Sequence, residues 1–226
     1  RVVYVMTDGG ALPLAYSRLV AALSRAGWLA GTVTAGQAWG GDVEAVSVHN
    51  ALLAARHVLR ADAAIVIQGP GNLGTETPWG FSGVSCGDAV NAIAALGGRP
   101  VACLRISQAD ARPRHRGVSH HSMTAYGRVA LAEADVVVPD LHGPLGAQVR
   151  REAEVLCAPR PGAAQHRLVG IPCDGLLELL RAAEAETGVR LSTMRRGLEE
   201  DAAAFIAAAA AGRHVRRILD AEAVHG

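Results

Sequence analysis

The sequence predicts an α/β protein: a doubly wound, mostly parallel sheet with helices on both faces, in a Rossmann-like three-layer arrangement. Three observations predict it. Apolar runs rich in β-branched residues alternate with amphipathic runs of helical period from the first residue onward, which is how βαβ units with strands buried on both faces read. The segments leaving the strands are long, glycine-rich and polar, while those returning from helix to strand are short and ordinary. With right-handed crossovers every strand C-terminus lies on one edge, where open α/β folds bind their ligands. Finally, 226 residues, 50% of them hydrophobic, can bury one large core without disulfide or metal staples.

Taken in order, residues 1–6 read as a strand, 12–26 as a helix, 31–35 as a strand and 42–59 as a long helix. Residues 63–67 read as a buried strand, 87–96 as a helix and 101–106 as a strand. A helix then starts from Ser119, followed by strand 135–138, helix 145–156, strand 167–171, and helices 175–186 and 198–211. Residues 1–212 are expected to form a single domain and 213–226 a charged tail, frayed or engaged with a partner chain. Because Arg1 opens directly on a strand without an initiator methionine, an upstream segment is expected.

Composition narrows the function. The net charge of +1 gives no long-range field to hold nucleic acid or an anionic membrane. A nucleic-acid partner is therefore not expected, and only a local arginine cluster supports an RNA-associated role. All 22 basic residues are arginine, which removes a P-loop lysine, a Schiff-base lysine and any lysine base. There is no signal-peptide pattern and no run of about 18 apolar residues, so no membrane partner is expected. Cys86, Cys103, Cys157 and Cys173 are scattered without a C-x-x-C pair and read as reduced thiols of a cytoplasmic protein. Cys86 stands at a helix start, where a thiolate would be stabilised, although a small buried residue is the better reading.

The most polar stretch is residues 112–122, with three arginines, three histidines and two serines in eleven positions. Ser119 precedes an apolar-periodic run and reads as a helix N-cap. A basic loop feeding a helix N-terminus is a place for an anion, with Arg105, Arg114 and Arg116 as donors to phosphate or carboxylate. His120 and His121 would supply an acid or base and a donor. Being about 100° apart on a helix, they are expected not to share a metal, and no metal ligand set is assigned.

Three other loops lie on the same predicted edge. Gly69, Gly71, Asn72, Gly74 and Thr75 form a turn-permissive loop whose amides could converge on an anion, although Gly69-x-Gly71-x-x-Gly74 runs into another loop before any helix and matches neither a Walker nor a good dinucleotide fingerprint. Asp8, Gly9 and Gly10 end the first strand. Asp42 closes the second loop, where helix capping competes with a ligand role. Asp8 and His121 are the acid–base candidates, and Trp79 and Phe81 could cover a ligand.

The motifs Thr7 to Pro13, Gly69 to Gly74 and Arg114 to His121, with 191–194 and 212–214, resemble a bacterial family catalogued as domain of unknown function 3866, along nearly the whole chain. The resemblance implies a bacterial cytoplasmic protein with further chain upstream, and it implies no activity.

The expectation is an α/β protein that binds a small anionic metabolite, phosphorylated or nucleotide-like, at the C-terminal edge of its sheet, as a hydrolase or group transferase. A non-catalytic ligand-binding or regulatory module and a metal-dependent hydrolase stand as alternatives. No cofactor is assigned, and a homo-oligomer stays open.

Overall fold

A computed structural model describes residues 1–69 and 71–225. Its elements are β1 (Val2–Met6), α1 (Arg18–Arg25), β2 (Gly31–Ala35), β3 (Val43–Ala45), α2 (Val48–His57), β4 (Ala63–Ile67), α3 (Ser85–Ala95), β5 (Val101–Cys103), β6 (Ile106–Ser107), β7 (Gly117–Val118), α4 (His120–Thr124), β8 (Asp135–Pro139), α5 (Gly143–Leu156), β9 (Arg167–Ile171), α6 (Leu176–Thr187), β10 (Ser192–Thr193), β11 (Arg196–Gly197) and α7 (Ala202–His225). Among the described residues, seven parallel strands divide between a four-stranded sheet, β3-β2-β1-β4, and a three-stranded sheet, β5-β8-β9. The pairs β6-β7 and β10-β11 are antiparallel. The α/β class read from the sequence is the one observed.

Period-two alternation builds the layers. Along β1, Val3 and Val5 pack with Val33 against Ala51 and Ala55 of α2, while Tyr4 and Met6 pack with Leu14 and Val20 on the other face. In the second sheet, Val136 and Val138 pack against Val149, Ala153 and Leu156 of α5 and against Ala203 and Ala207 of α7, whereas Val137 joins Ile171, Leu176, Ala210 and Ala211. The alanines of α7 allow it to lie close to β8.

Several elements differ from expectation, each for a local reason. Residues 42–59 are not one helix. Asp42 accepts hydrogen bonds from the Thr32 amide at 2.8 Å and its hydroxyl at 2.9 Å, and the following residues pair with β2 as β3. A Cβ on Gly41 would lie 2.8 Å from the Thr34 nitrogen, so only glycine lets the chain pass this close to β2. Helix α2 begins later, capped by Ser47, which accepts from the Asn50 amide at 3.3 Å. The run 12–26 is likewise interrupted after a 3₁₀ turn, and Ser17 caps α1. Strand β4 is an edge, not a buried strand: Ile65 and Ile67 are 50% and 43% exposed.

Residues 101–106 divide between β5 and the start of the β6-β7 hairpin. Helix α7 passes residue 213 without a break. There Arg213 donates to the carbonyls of Pro172 and Asp174 at 2.6 and 2.7 Å, and His214 reaches Asp135. Gly226, at the end of the tail, lies outside the described residues. No helix among them is long and apolar enough to cross a membrane.

Candidate functional site

The chain leaving β5 makes the β6-β7 hairpin, and its turn carries most of the basic stretch. A buried carboxylate organises that turn. Asp110 takes two parallel hydrogen bonds from the Arg112 guanidinium, both 3.0 Å, one from Arg196 at 3.2 Å, and faces Arg105 at 3.7 Å. The bonds from Arg112 lead the effects that hold its carboxyl far below the usual carboxylate range, and they overcome the penalty of burial. Asp201 continues the network, accepting from the Ser107 hydroxyl at 2.6 Å, the Gln108 amide at 2.9 Å and Arg196 at 2.9 Å. Arg116 donates to the Asp110 carbonyl at 2.8 Å. Thus Arg116, expected to clamp an anion, ties down the turn, and Arg105 is partly engaged in the same way. Arg114 meets only the exposed Glu76, at 3.8 Å.

Helix α4 is a single turn that runs into a π-helical turn, Ala125–Val129. Ser119 caps it as expected, accepting from the His121 amide at 3.3 Å. So short a helix carries little macrodipole, and side chains are what could draw an anion here. The cap has another role: Ser119, fully buried, bonds His115 Nδ1 at 2.7 Å. This brings His115 against both neighbours, with ring centroids 4.9 Å from His120 and 4.9 Å from His121, while His120 and His121 lie 4.3 Å apart. The 100° offset therefore does not separate them. One ring nitrogen from each of the three histidines falls within 4.8 Å of the others. Phe81 stacks on His121 at 3.9 Å.

These imidazoles are held neutral. Burial, then Arg105 and Arg112, push His115 down to about 4; burial, His120 and the same arginines push His121 down to about 4. His120 is lowered by burial and then by Arg114, Arg105 and Arg112. Around the cluster Arg105, Arg112, Arg114 and Arg196 stand against Asp110, Asp201 and Glu76, and Asp110 opposes the shift at His115.

The opposite wall comes from β1 and β4. Gly9 abuts Gln68, whose Oε1 would lie 2.9 Å from a Cβ there, and Gln68 Oε1 also approaches Gly83 beside the Phe81 ring. Among the described residues, two buried side-chain polar atoms lack a hydrogen-bond partner: Gln68 Oε1 and His120 Nε2. Both neighbour Phe81. Gly69, left-handed at φ +86°, lets the loop pass Met6, whose side chain a Cβ would approach to 2.9 Å. The rest of that loop is spent on itself. Asn72 accepts from Ser82, the Thr75 amide donates to Gly80, Thr75 and Thr77 share a hydroxyl bond, and Gly74 bridges to Phe81. Pro70 lies outside the described residues.

Of the other candidates, the structure turns Asp8 toward the β2–β3 loop, where it accepts from the Gln37 amide at 3.3 Å. It places Asp42 beside Thr32 at the start of β2, away from the C-terminal edge. Gly10 packs on Leu12. Burial pushes the Cys86 thiol up, the reverse of an activated thiolate. The functional-looking residues passed over in the sequence are His115, hidden inside a charge cluster, and Gln68. The available signal for Gln68 was its place directly after a parallel strand.

Two concavities lie elsewhere, about 240 Å³ around Arg99, Asp135 and Arg167, and about 210 Å³ around Asp140, His142 and Arg150. Both are below the roughly 300 Å³ of ordinary ligand pockets. The histidine cluster is the candidate on its chemistry, not on a cavity.

A family model described as "Protein of unknown function (DUF3866)" matches residues 1–212. Neither a curated protein nor a solved structure matches the chain.

Proposed function

The chain belongs to that family, and we propose that it binds a small anionic metabolite, phosphorylated or nucleotide-like, in the crevice beyond the C-terminal ends of β1, β4 and β5. One observation supports this above the others: three imidazoles pack together beside Arg105, Arg112 and Arg114, where burial first and these arginines next disfavour a proton on the rings. Partly buried positive charge beside neutral imidazoles is stabilised when an anion answers it. Arg114 is the clamp, since its contact with the exposed Glu76 is the weakest carboxylate contact of these three. His120 is the proton donor or acceptor for hydrolysis or group transfer, because its Nε2 is not used by the fold. The same reading places the protein in a bacterial cytoplasm, supported by the free state of all four cysteines.

The test is calorimetric titration of inorganic phosphate, AMP and ADP, in chelator, into the wild type and Arg114→Gln. Removing one partner of a charge-assisted contact costs about 2 to 5 kcal/mol, roughly 30-fold or more in affinity, with an unchanged melting temperature. Equal affinity in the two proteins, or no binding of any of the three anions, contradicts the reading.

A further inference from the structure

The geometry points to a divalent transition-metal site of the zinc class, built by one ring nitrogen each from His115, His120 and His121, with the fourth position open to water or an oxyanion. This inference does not need the anion reading.

The donor set comes first. The three nitrogens lie within 4.8 Å of one another. Around zinc, with Zn–N about 2.0 to 2.1 Å, tetrahedral ligand nitrogens sit roughly 3.4 Å apart, so small ring rotations close the site. Imidazole nitrogen without carboxylate or thiolate suits zinc, cobalt, nickel or copper, and not magnesium or calcium. Three protein ligands are the number that leaves a position free for exogenous chemistry.

The second observation is how the fold treats its other buried histidines. His166 has both nitrogens engaged, Nδ1 accepting from the Ala134 amide at 3.2 Å and Nε2 bonding the Tyr126 carbonyl at 2.8 Å. His214 bonds Asp135 at 2.7 Å. Buried polar groups are generally satisfied in this way. His120 Nε2 is buried and has no partner. Its neighbours are imidazoles, which makes a shared ion the natural partner.

Third, two of the rings are already oriented. His115 has Nδ1 fixed by Ser119 at 2.7 Å. If Nδ1 is the donor, Nε2 keeps a lone pair, and this is how an outer-shell partner sets the tautomer of a ligating histidine. Phe81 fixes the plane of His121 by stacking. The arginines oppose a bare dication. A hydroxide or oxyanion in the fourth position offsets them, so metal and anion should bind with positive coupling.

The experiment titrates cobalt(II) chloride into the untagged, chelator-stripped protein, followed by zinc chloride in competition. One equivalent of cobalt should develop tetrahedral ligand-field absorption and be displaced by zinc. His120→Ala should weaken cobalt binding about 100-fold or more, and Ser119→Ala about 10-fold, as loss of an outer-shell partner does. His120→Ala is the deciding variant, since its Nε2 makes no contact the fold needs. If it nevertheless fails to fold, His121→Asn serves in its place. Absence of a one-equivalent site in the wild type, octahedral spectra, or cobalt affinity that survives loss of His120 or His121 overturns the proposal. Arg114→Gln should keep the cobalt site, which separates failure of this inference from failure of the anion reading.

Discussion

The two ends of the β5-β8-β9 sheet bury ionisable groups in opposite ways. At the N-terminal end Asp135, 2% exposed, receives Arg99 at 3.0 Å, Arg167 and His214 at 2.7 Å. Burial works against its charge, yet the His214 hydrogen bond and the charges of Arg167 and Arg99 leave its carboxyl below the usual range. At the C-terminal end three imidazoles face three arginines, and one imidazole nitrogen has no partner. At the first end Asp135 ties α7, through His214, to β9, through Arg167. The second end keeps donors in reserve, at a cost in stability, where parallel sheets place their ligands.

The sharpest way to break this comparison is Asp135→Ala. Removing the carboxylate leaves the buried His214 and the half-exposed Arg99 and Arg167 without their common partner, which costs about 3 kcal/mol. Differential scanning calorimetry should show a melting temperature lower by roughly 6 °C or more, at about 2 to 4 °C per kcal/mol for a domain of this size. A melting temperature equal to wild type would mean the network is not structural.

Acid titration of stability sharpens it next, because the two ends respond in different windows. His115 and His121 are lowered from 6.5 to about 4, so between those values the unfolded chain holds more protons than the folded one. Stability is therefore full above 6.5 and falls as the pH drops toward 4. Asp110 and Asp135 have folded pKa values below 3.8, so their contribution is present above that value and is lost as pH falls below it. Urea midpoints measured in chelator should fall in two stages. The triple variant His115→Asn, His120→Asn, His121→Asn should flatten the upper stage and leave the lower one. A single acid stage below pH 4 in the wild type would contradict the burial of neutral imidazoles.

The smallest expected effect falls on His120 alone. His120→Ala removes an unsatisfied atom, so stability should change by no more than about 0.5 kcal/mol, or rise. A loss of several kcal/mol by urea denaturation would show that the ring is a core element.

The α/β class and most strand positions were legible because apolar runs such as β1 and β4, and the short strand-like β2 and β9, alternate with segments of helical period. Residues 43–45 were not, since pairing with the exposed edge of β2 overrode a helical pattern. The density of charge in residues 112–122 was legible, and the division of labour within it was not. Whether an arginine is free or tied depends on Asp110, Asp201 and Arg196, and Asp201 and Arg196 are brought there only by the tertiary fold. The convergence of His115 with His120 and His121 depends on the β6-β7 hairpin, whose two-residue strands leave almost no periodic signal.

The most direct test of anion binding at the histidine cluster is the titration of its rings by nitrogen-15 NMR, in chelator, with and without saturating phosphate. Without phosphate, His115 and His121 should titrate near 4. A bound dianion within about 4 to 6 Å should raise them by about 1 to 3 units. Histidines that titrate normally without phosphate, or that do not respond to it, would contradict the account.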